Sequence, residues 1–299
     1  MSSPAPYRPL QAVLWMMLTG LCFVGVQATV KHLGPGIPPA ESAFLRYVLG
    51  LVFFIPMAPK LLRMRLSRRA WAFFTLRGVA QAGAVILWFF AMTRITIAEV
   101  TAMNYMTPIY ITLGAAVFLG EPLAARRLIA IAIAFLGALI ILRPGLRELD
   151  GGHVAMIFAA LGFAAAYLVA KRMTGEVSPG LVVAMMSLMT TLFLMPFALI
   201  DWVPPTPRQL AWLFLVACFA TSGHYAMTLA FKAAPMAVTQ PVTFLQLVWA
   251  SLAGAALFGE PLSIWVMLGG GLIMGSVSFI ALRELRLQKP PAPPAPPGP

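Results

Sequence analysis

Ten runs of about 20 apolar residues, separated by short gaps rich in Gly, Pro and charge, leave this chain few ways to fold. A helix rises about 1.5 Å per residue, so about 20 residues cross the hydrocarbon core of a bilayer. The first five runs are Gln11–Val30, Ala40–Ala58, Trp71–Met92, Ala98–Leu119 and Ala124–Leu142. The second five are Gly152–Ala170, Gly180–Ile200, Gln209–Phe231, Met236–Phe258 and Ser263–Leu282. A water-soluble fold is the alternative, and composition excludes it. Of 299 residues, 61% are hydrophobic and 10% are charged, whereas a soluble domain is about a quarter charged and leaves a large share of its surface facing water. The expected fold is therefore an all-α integral membrane protein of ten transmembrane helices, with the lipid bilayer as its solvent. The first run, from Leu10 to Val30, is too long for the apolar core of a signal peptide, and no small-residue cleavage site follows it.

The net charge of +12 is spread over the short gaps in place of one basic face, which argues against nucleic acid as a partner. With a cytoplasmic N-terminus, the inside segments hold fourteen Lys and Arg and the outside segments five. That bias predicts both termini in the cytoplasm. Two cysteines, Cys22 and Cys218, lie in apolar runs without metal-ligand spacing and read as small buried side chains. The tail after Lys289 is almost all Pro and Ala and predicts a disordered extension.

The chain also repeats itself. Phe118-Leu119-Gly120-Glu121-Pro122-Leu123 returns as Leu257-Phe258-Gly259-Glu260-Pro261-Leu262, 139 residues later. Ala98 matches Ala237 and Ala116 matches Ala255 at that offset. Lys31 matches Lys171, Pro56 matches Pro196 and Gly83 matches Gly223 at 140. The layout that follows is a cytoplasmic N-terminus (1–10), a first repeat (11–145), a second repeat (150–284) and a Pro-rich cytoplasmic tail (285–299). Each repeat holds five spans. An odd number inserts the second half upside down relative to the first, and two inverted five-helix repeats are a device of secondary carriers.

From about Gln11 to Arg283 the chain resembles the drug/metabolite transporter superfamily, in its ten-span EamA-like branch. The resemblance is carried by Ala43-Phe44-Leu45-Arg46, Leu76-Arg77-Gly78, the stretch from Ala98 to Pro122, Gly137 with Arg143-Pro144-Gly145, and the second Gly-Glu-Pro. Within the family the chain looks most like bacterial S-adenosylmethionine and riboflavin uptake carriers, although amino-acid and metabolite exporters share the fold. The resemblance implies a multi-pass protein of the bacterial inner membrane and a central cavity lined by spans three, four, eight and nine, with spans five and ten as a supporting pair.

Polar groups within spans are costly in lipid and tend to face a cavity or a partner. In span four, Thr101, Asn104 and Thr107 recur at three-residue steps, and their counterparts in span nine, Gln240, Thr243 and Gln246, are polar too. They are expected either to line a shared solute cavity or to hydrogen-bond neighbouring helices. Pro108 and Pro241 sit in the same two spans and are candidate hinges. Arg46 and Arg77 are the least comfortable charges. Arg77 is expected to snorkel, and Arg46 to pair with Glu41 or Glu99 or to meet an anionic group of the solute. Gln81, Trp88, His224 and Tyr225 complete the candidate cavity. Glu99, in the first turn of span four, is expected either to cap or pair there or to bind a proton or cation, and His224, mid-span, either to hydrogen-bond as a packing residue or to serve as a substrate donor or proton site. His32 and His153 read as loop residues, and Glu121 and Glu260 as caps that set the turns into spans five and ten. Gly271 and Gly275 allow a close helix contact, with span five or with a second copy, so a monomer and a homodimer both fit.

No paired carboxylates, metal cluster, nucleotide loop or nucleophile–base pair stands out, so neither an enzyme nor a cofactor is expected. The reading is a secondary carrier of a small organic solute working by alternating access. Its alternatives are a proton-coupled exporter of metabolites, amino acids or drugs, and, from another class, a channel or a membrane scaffold.

Overall fold

The computed structural model describes residues 8–57, 59, 67–119, 125–143, 148–172, 179–233 and 236–287, and its regular structure there is entirely helical. In the first half, helix α1 is Pro9–Leu33, α2 is Pro39–Gly50 and α3 is Arg68–Arg94. A fourth rod is broken into α4a, Ile97–Asn104, and α4b, Thr107–Leu119, and α5 is Ala125–Leu142. The second half holds α6 (Gly151–Arg172), α7 (Pro179–Ala198), α8 (Pro207–Ala233), α9 (Met236–Phe258) and α10 (Ile264–Leu287). Among the described residues, five helical stretches are long and apolar enough to cross a membrane: Leu10–Gly36, Pro39–Pro56, Arg68–Arg94, Gly151–Val169 and Pro207–Met227. Shorter apolar stretches lie in α5, α7, α9 and α10.

Several boundaries differ from the sequence reading, each for a local reason. The second run is not one α-helix, because α2 stops at Gly50 and a 3-10 helix continues from Leu51 to Met57. Gly50 weakens the helix there, and Pro56 supplies no N–H for its next bond. The fourth run is broken because Pro108 supplies no N–H to the carbonyl of Asn104. Tyr105 and Met106 bridge the gap with tighter bonds to the carbonyls of Ala102 and Met103. Helix α10 continues to Leu287, past residue 284. The Pro-rich tail beyond it lies outside the described residues, as do residues 1–7 and the whole first Gly-Glu-Pro with Glu121.

Helix starts follow from capping residues. Ser67 accepts the amide of Ala70 (3.1 Å) at the start of α3. Thr206, 139 residues later, caps α8 together with Gln209. Thr96 and Glu99 form a capping box on α4a.

The halves are interleaved. Helix α1 lies along α8 and α9, while α6 lies along α3 and both parts of α4. Helix α2 packs on α8, and α7 packs on α3. Helix α2 also packs on α7, α5 on α10, and α4a on α9. Exchanging each helix for its counterpart in the other half returns all of these pairs, so the packing has an approximate two-fold symmetry, broken where α9 packs on α10 and α2 on α3 without equal counterparts. Along α5 small residues face inward and large ones outward: Ala130, Ala134 and Ala138 are buried while Leu128, Ile129, Leu136 and Leu139 are exposed. Lipid is as apolar as leucine, so close backbone approach adds to the packing of buried side chains such as Phe74, Phe89 and Met156 in holding helices together.

The closest such approach joins α5 to α10. A Cβ on Gly137 would sit 2.6 Å from the carbonyl oxygen of Gly269, and one on Gly269 would collide with the carbonyl oxygen of Gly137. The close contact therefore lies at Gly269 and not at Gly275, which has open space around it.

Candidate solute site

Helices α2 and α3 pack together and carry two guanidinium groups, within electrostatic reach of side chains on α6 and α8. Arg77 is buried, 6% exposed, and its Nε and Nη1 have no hydrogen-bond partner among the described residues. The snorkelling expected for it is not what is seen. Arg46 stacks its guanidinium over the ring of its neighbour Tyr47, 4.1 Å from the centroid. It pairs with neither Glu41 nor Glu99. Glu41 accepts the amide of Val203 at 2.9 Å, and Glu99 is engaged at the start of α4a. One turn beyond Arg77 on α3, Gln81 donates to the Tyr47 hydroxyl at 3.3 Å. Tyr47 and Tyr167 lie within electrostatic reach of Arg77, and His224 within reach of both arginines. His224 also meets the ring of Phe23 edge-on at 5.2 Å. Tyr167, on α6, is 43% exposed.

The candidate residues of α4 and α9 are divided. Thr101, on α4a, is buried and donates to Gln27 of α1 at 2.8 Å. Thr107 donates to Asn104 Oδ1 at 3.4 Å, across the break before Pro108, and Asn104 is half-buried. The Tyr105 hydroxyl donates to the Thr243 carbonyl at 2.8 Å and so joins α4a to α9. The Thr243 hydroxyl points to the Met274 sulfur of α10, at 3.6 Å. Gln246 is half-buried beside Gly20 of α1. Pro241 lies within α9, which is unbroken. The side chains of Gln240 and Pro241 fall outside the described set. Tyr225, on α8, is 66% exposed. Trp88 packs edge-on against Phe89 and Phe163, and its buried Nε1 has no acceptor among the described residues. Two apolar crevices open elsewhere. One of about 490 Å³ lies by Pro38, Phe90 and Phe158. The other, of about 230 Å³, lies between α4 and α5 and is lined by Met103, Met106, Tyr110 and Phe135 among others.

One end of the bundle is tied shut by polar contacts that the sequence reading did not assemble. Lys31, at the end of α1, pairs with Glu260 at 2.5 Å and donates to the Ile95 carbonyl at 2.7 Å. The other carboxylate oxygen of Glu260 accepts the amide of Ile97 at 3.0 Å, at the start of α4a. Two glycines allow this. Gly259, at φ +64°, ends α9 in the left-handed region, and any side chain at Gly254 would collide with the Glu260 carboxylate. Glu260 thus caps a helix as expected, but that helix is α4a, far away in sequence. Glu99 Oε2 accepts from both the amide and the hydroxyl of Thr96, at 3.0 Å each, and Glu99 Oε1 lies 3.4 Å from His153 Nε2. His153 is a buried residue in the first turn of α6 and not a loop residue. His32 belongs to the last turn of α1 and packs against Trp212. An Asp three residues before His153 was the available signal, since Asp150 caps the start of α6 by accepting the Gly152 amide at 2.6 Å.

This interleaved, helix-only bundle, with its polar cluster inside and apolar side chains outside, has the form of a membrane carrier. The chain belongs to the EamA-like transporter family, which it matches twice, over residues 10–143 and 150–282. It is similar to a riboflavin transporter of Rhizobium johnstonii, with 30% identity over 96% of both chains. A riboflavin transporter of Vibrio cholerae is 28% identical over 94% of this chain and 96% of its own length. An S-adenosylmethionine uptake transporter of Rickettsia prowazekii is 21% identical over 92% of this chain and 94% of its own. A solved crystal structure shares the fold, with a TM-score of 0.56 at 19% identity, covering 94% of this chain and 97% of that one. The family and these relatives are transporters of small solutes, and this chain is a multi-pass membrane protein.

Proposed function

We propose that this chain is a ten-span secondary carrier that moves a small organic metabolite across the bacterial inner membrane by alternating access, with both termini in the cytoplasm. The observation that carries the proposal is an approximate two-fold exchange in the packing, in which the pairs α1 with α8, α1 with α9 and α2 with α8 recur as α6 with α3, α6 with α4 and α7 with α3 when the halves are swapped. Two five-span halves related in this way have opposite orientations in the bilayer, and each can take the other's conformation. Lys31 and Glu260 then close the outer end. The sequence counterparts of those two residues are Lys171 and Glu121, in reach of the cytoplasmic end by the repeat. The solute site lies between the ends, among Arg46, Gln81, Trp88, Asn104, Thr107, His224 and Gln246, with Pro108 as the hinge of α4. The relatives' names favour a solute of the size and heteroaromatic character of riboflavin or S-adenosylmethionine.

The test is uptake of labelled riboflavin and S-adenosylmethionine into proteoliposomes. A carrier gives saturable uptake that unlabelled solute on the far side accelerates. Flux that rises linearly with concentration and shows no such counterflow would identify a channel and overturn the reading. Proton coupling, through Glu99 or His224, belongs to the same proposal. Glu99→Gln and His224→Gln are compared with and without an imposed proton gradient, and an unchanged response in both removes these two residues as coupling sites.

A further inference from the structure

The nine acidic residues of the chain leave a large interior region without negative charge. No acid lies between Glu41 and Glu99, or between Asp201 and Glu260. Helices α3, α6, α7, α8 and α9 therefore contain none, and the only acid of α2 is Glu41, in its first turn. Of the acids near the bundle interior, Glu41, Glu99 and Glu260 are each engaged at the tied end. Two guanidinium groups nevertheless sit on the packed helices α2 and α3, within electrostatic reach of Tyr167 on α6 and His224 on α8. One of them, Arg77, is more than nine-tenths buried with two N–H groups that find no acceptor among the described residues. Arg46 has a ring face and, among the described residues, no carboxylate. An unpaired guanidinium in a low-dielectric interior is strongly unfavourable, and a protein keeps one only where something compensates it.

A scaffold role does not supply that compensation. Some residues that serve the frame recur in both halves, as Ser67 and Thr206 do, and others, such as Glu99 and Gly137, do not. Arg46 and Arg77 do not recur. Their counterparts at offsets of 139 and 140 are Met185 and Met186 for the first, and Val216 and Ala217 for the second. Arg77 is buried with N–H groups that no described residue accepts from; compensation has to come from something the described frame does not supply, and in a carrier that is the solute. The surrounding groups agree in chemistry. The hydroxyls of Tyr47 and Tyr167 and the imidazole of His224 can all donate hydrogen bonds, and a guanidinium offers a planar fork of donors that matches a carboxylate or a phosphate.

We infer that Arg77 and Arg46 dock an anionic group of the solute, so that the transported class is organic solutes carrying a carboxylate or a phosphate. This rests on the carrier reading and adds the charge of the cargo to it. A solute without such a group leaves both guanidinium groups uncompensated and binds more weakly.

The experiment uses the full chain, purified in detergent, and two pairs of probes that differ by one anionic group. Riboflavin is compared with flavin mononucleotide, which adds a phosphate. S-adenosylmethionine is compared with its decarboxylated form, which lacks the carboxylate. The reading is the ratio of affinities within each pair, because a ratio does not depend on how much protein stays folded. In the wild-type chain the anionic member of at least one pair is expected to bind about ten-fold tighter. Arg77→Gln should bring that ratio close to one, Arg77→Lys should keep part of it, and Arg46→Gln should lower it by a smaller factor. If Arg77→Gln does not yield folded protein, Arg77→Lys and Arg46→Gln decide the matter. A wild-type ratio near one in both pairs, a preference for the neutral members, binding of none of the four probes, or variants that weaken both members equally would each overturn the inference. Saturable uptake blind to charge would sink the anion site and leave the carrier standing. Linear flux with the ratio preserved would do the opposite.

Discussion

Helices α4 and α9 hold equivalent places in the two halves and each carries a proline, but at different points of the repeat: α4 breaks at Tyr105 and Met106, just before Pro108, while α9, with Pro241 near its start, runs unbroken from Met236 to Phe258. Their surroundings differ in the same sense. Helix α9 packs along α10, whereas the 230 Å³ crevice lies between α4 and α5. A repeated sequence thus sets the same order of helices and most of the same partners in both halves without setting the same shape. In an inverted pair an exact match would present the centre equally to both sides of the membrane. A difference between the halves is what lets one end be closed, as it is here by Lys31 and Glu260, while the other is governed separately.

The largest expected effect comes from forcing the halves apart where they approach most closely. Gly137→Leu or Gly269→Leu puts a side chain into the opposite backbone, and overpacking of this kind costs at least about 1–3 kcal/mol. Size-exclusion profiles in detergent should show mostly aggregated protein. Gly275→Leu, which has open space, should give a normal profile. Equal behaviour of the two would break the claim that α5 and α10 form a shared seam.

A middle-sized effect should come from the tied end. Glu260→Gln removes the charge that Lys31 meets and weakens the cap on Ile97. Hydrogen bonds to charged groups are worth about 1.5–3 kcal/mol, or roughly ten-fold or more in an equilibrium between conformations. A cysteine introduced at Gln81, in a background without Cys22 and Cys218, should then react several-fold faster with an impermeant maleimide added outside. Glu121→Gln, in the matched position of the other half, should slow that reaction. Changes of the same sign in both variants would remove the two motifs as opposing closures.

The smallest effect separates packing from solute contact. Thr101→Val deletes the bond to Gln27 and should cost about 1 kcal/mol of stability, a few degrees in melting temperature, with solute affinity unchanged. Asn104→Leu, next to the break, should lower affinity a few-fold with little change in melting temperature. The reverse pattern would move Thr101 into the site and Asn104 into the scaffold.

Much of the frame could be read from the chain alone. The ten apolar runs fall on the ten helical rods, and Pro108 marks the break in α4. The family follows from the two matched halves. The site was less legible. Thr101 and Asn104 lie three residues apart and look alike in sequence, but one faces α1 and the other the edge of the break. His153 reads as a loop residue because two glycines and an aspartate precede it, and those residues in fact start α6.

Sequence alone determined the class of protein, the order of the helices and the repeat, because apolar length and a recurring motif are properties of neighbouring residues and survive without knowledge of any contact. Tertiary structure alone decided the partners. Nothing near Glu260 in the chain points to Lys31 or Ile97, nothing near Glu99 points to His153, and nothing near Arg77 shows that its guanidinium stays unpaired among the described residues. In lipid the outward face of a helix is as apolar as its inward face, so the rotation of each helix is not written as a pattern of polar and apolar residues. It is set by which small residues let backbones approach, as Gly137 and Gly269 do, and that choice involves helices more than a hundred residues apart.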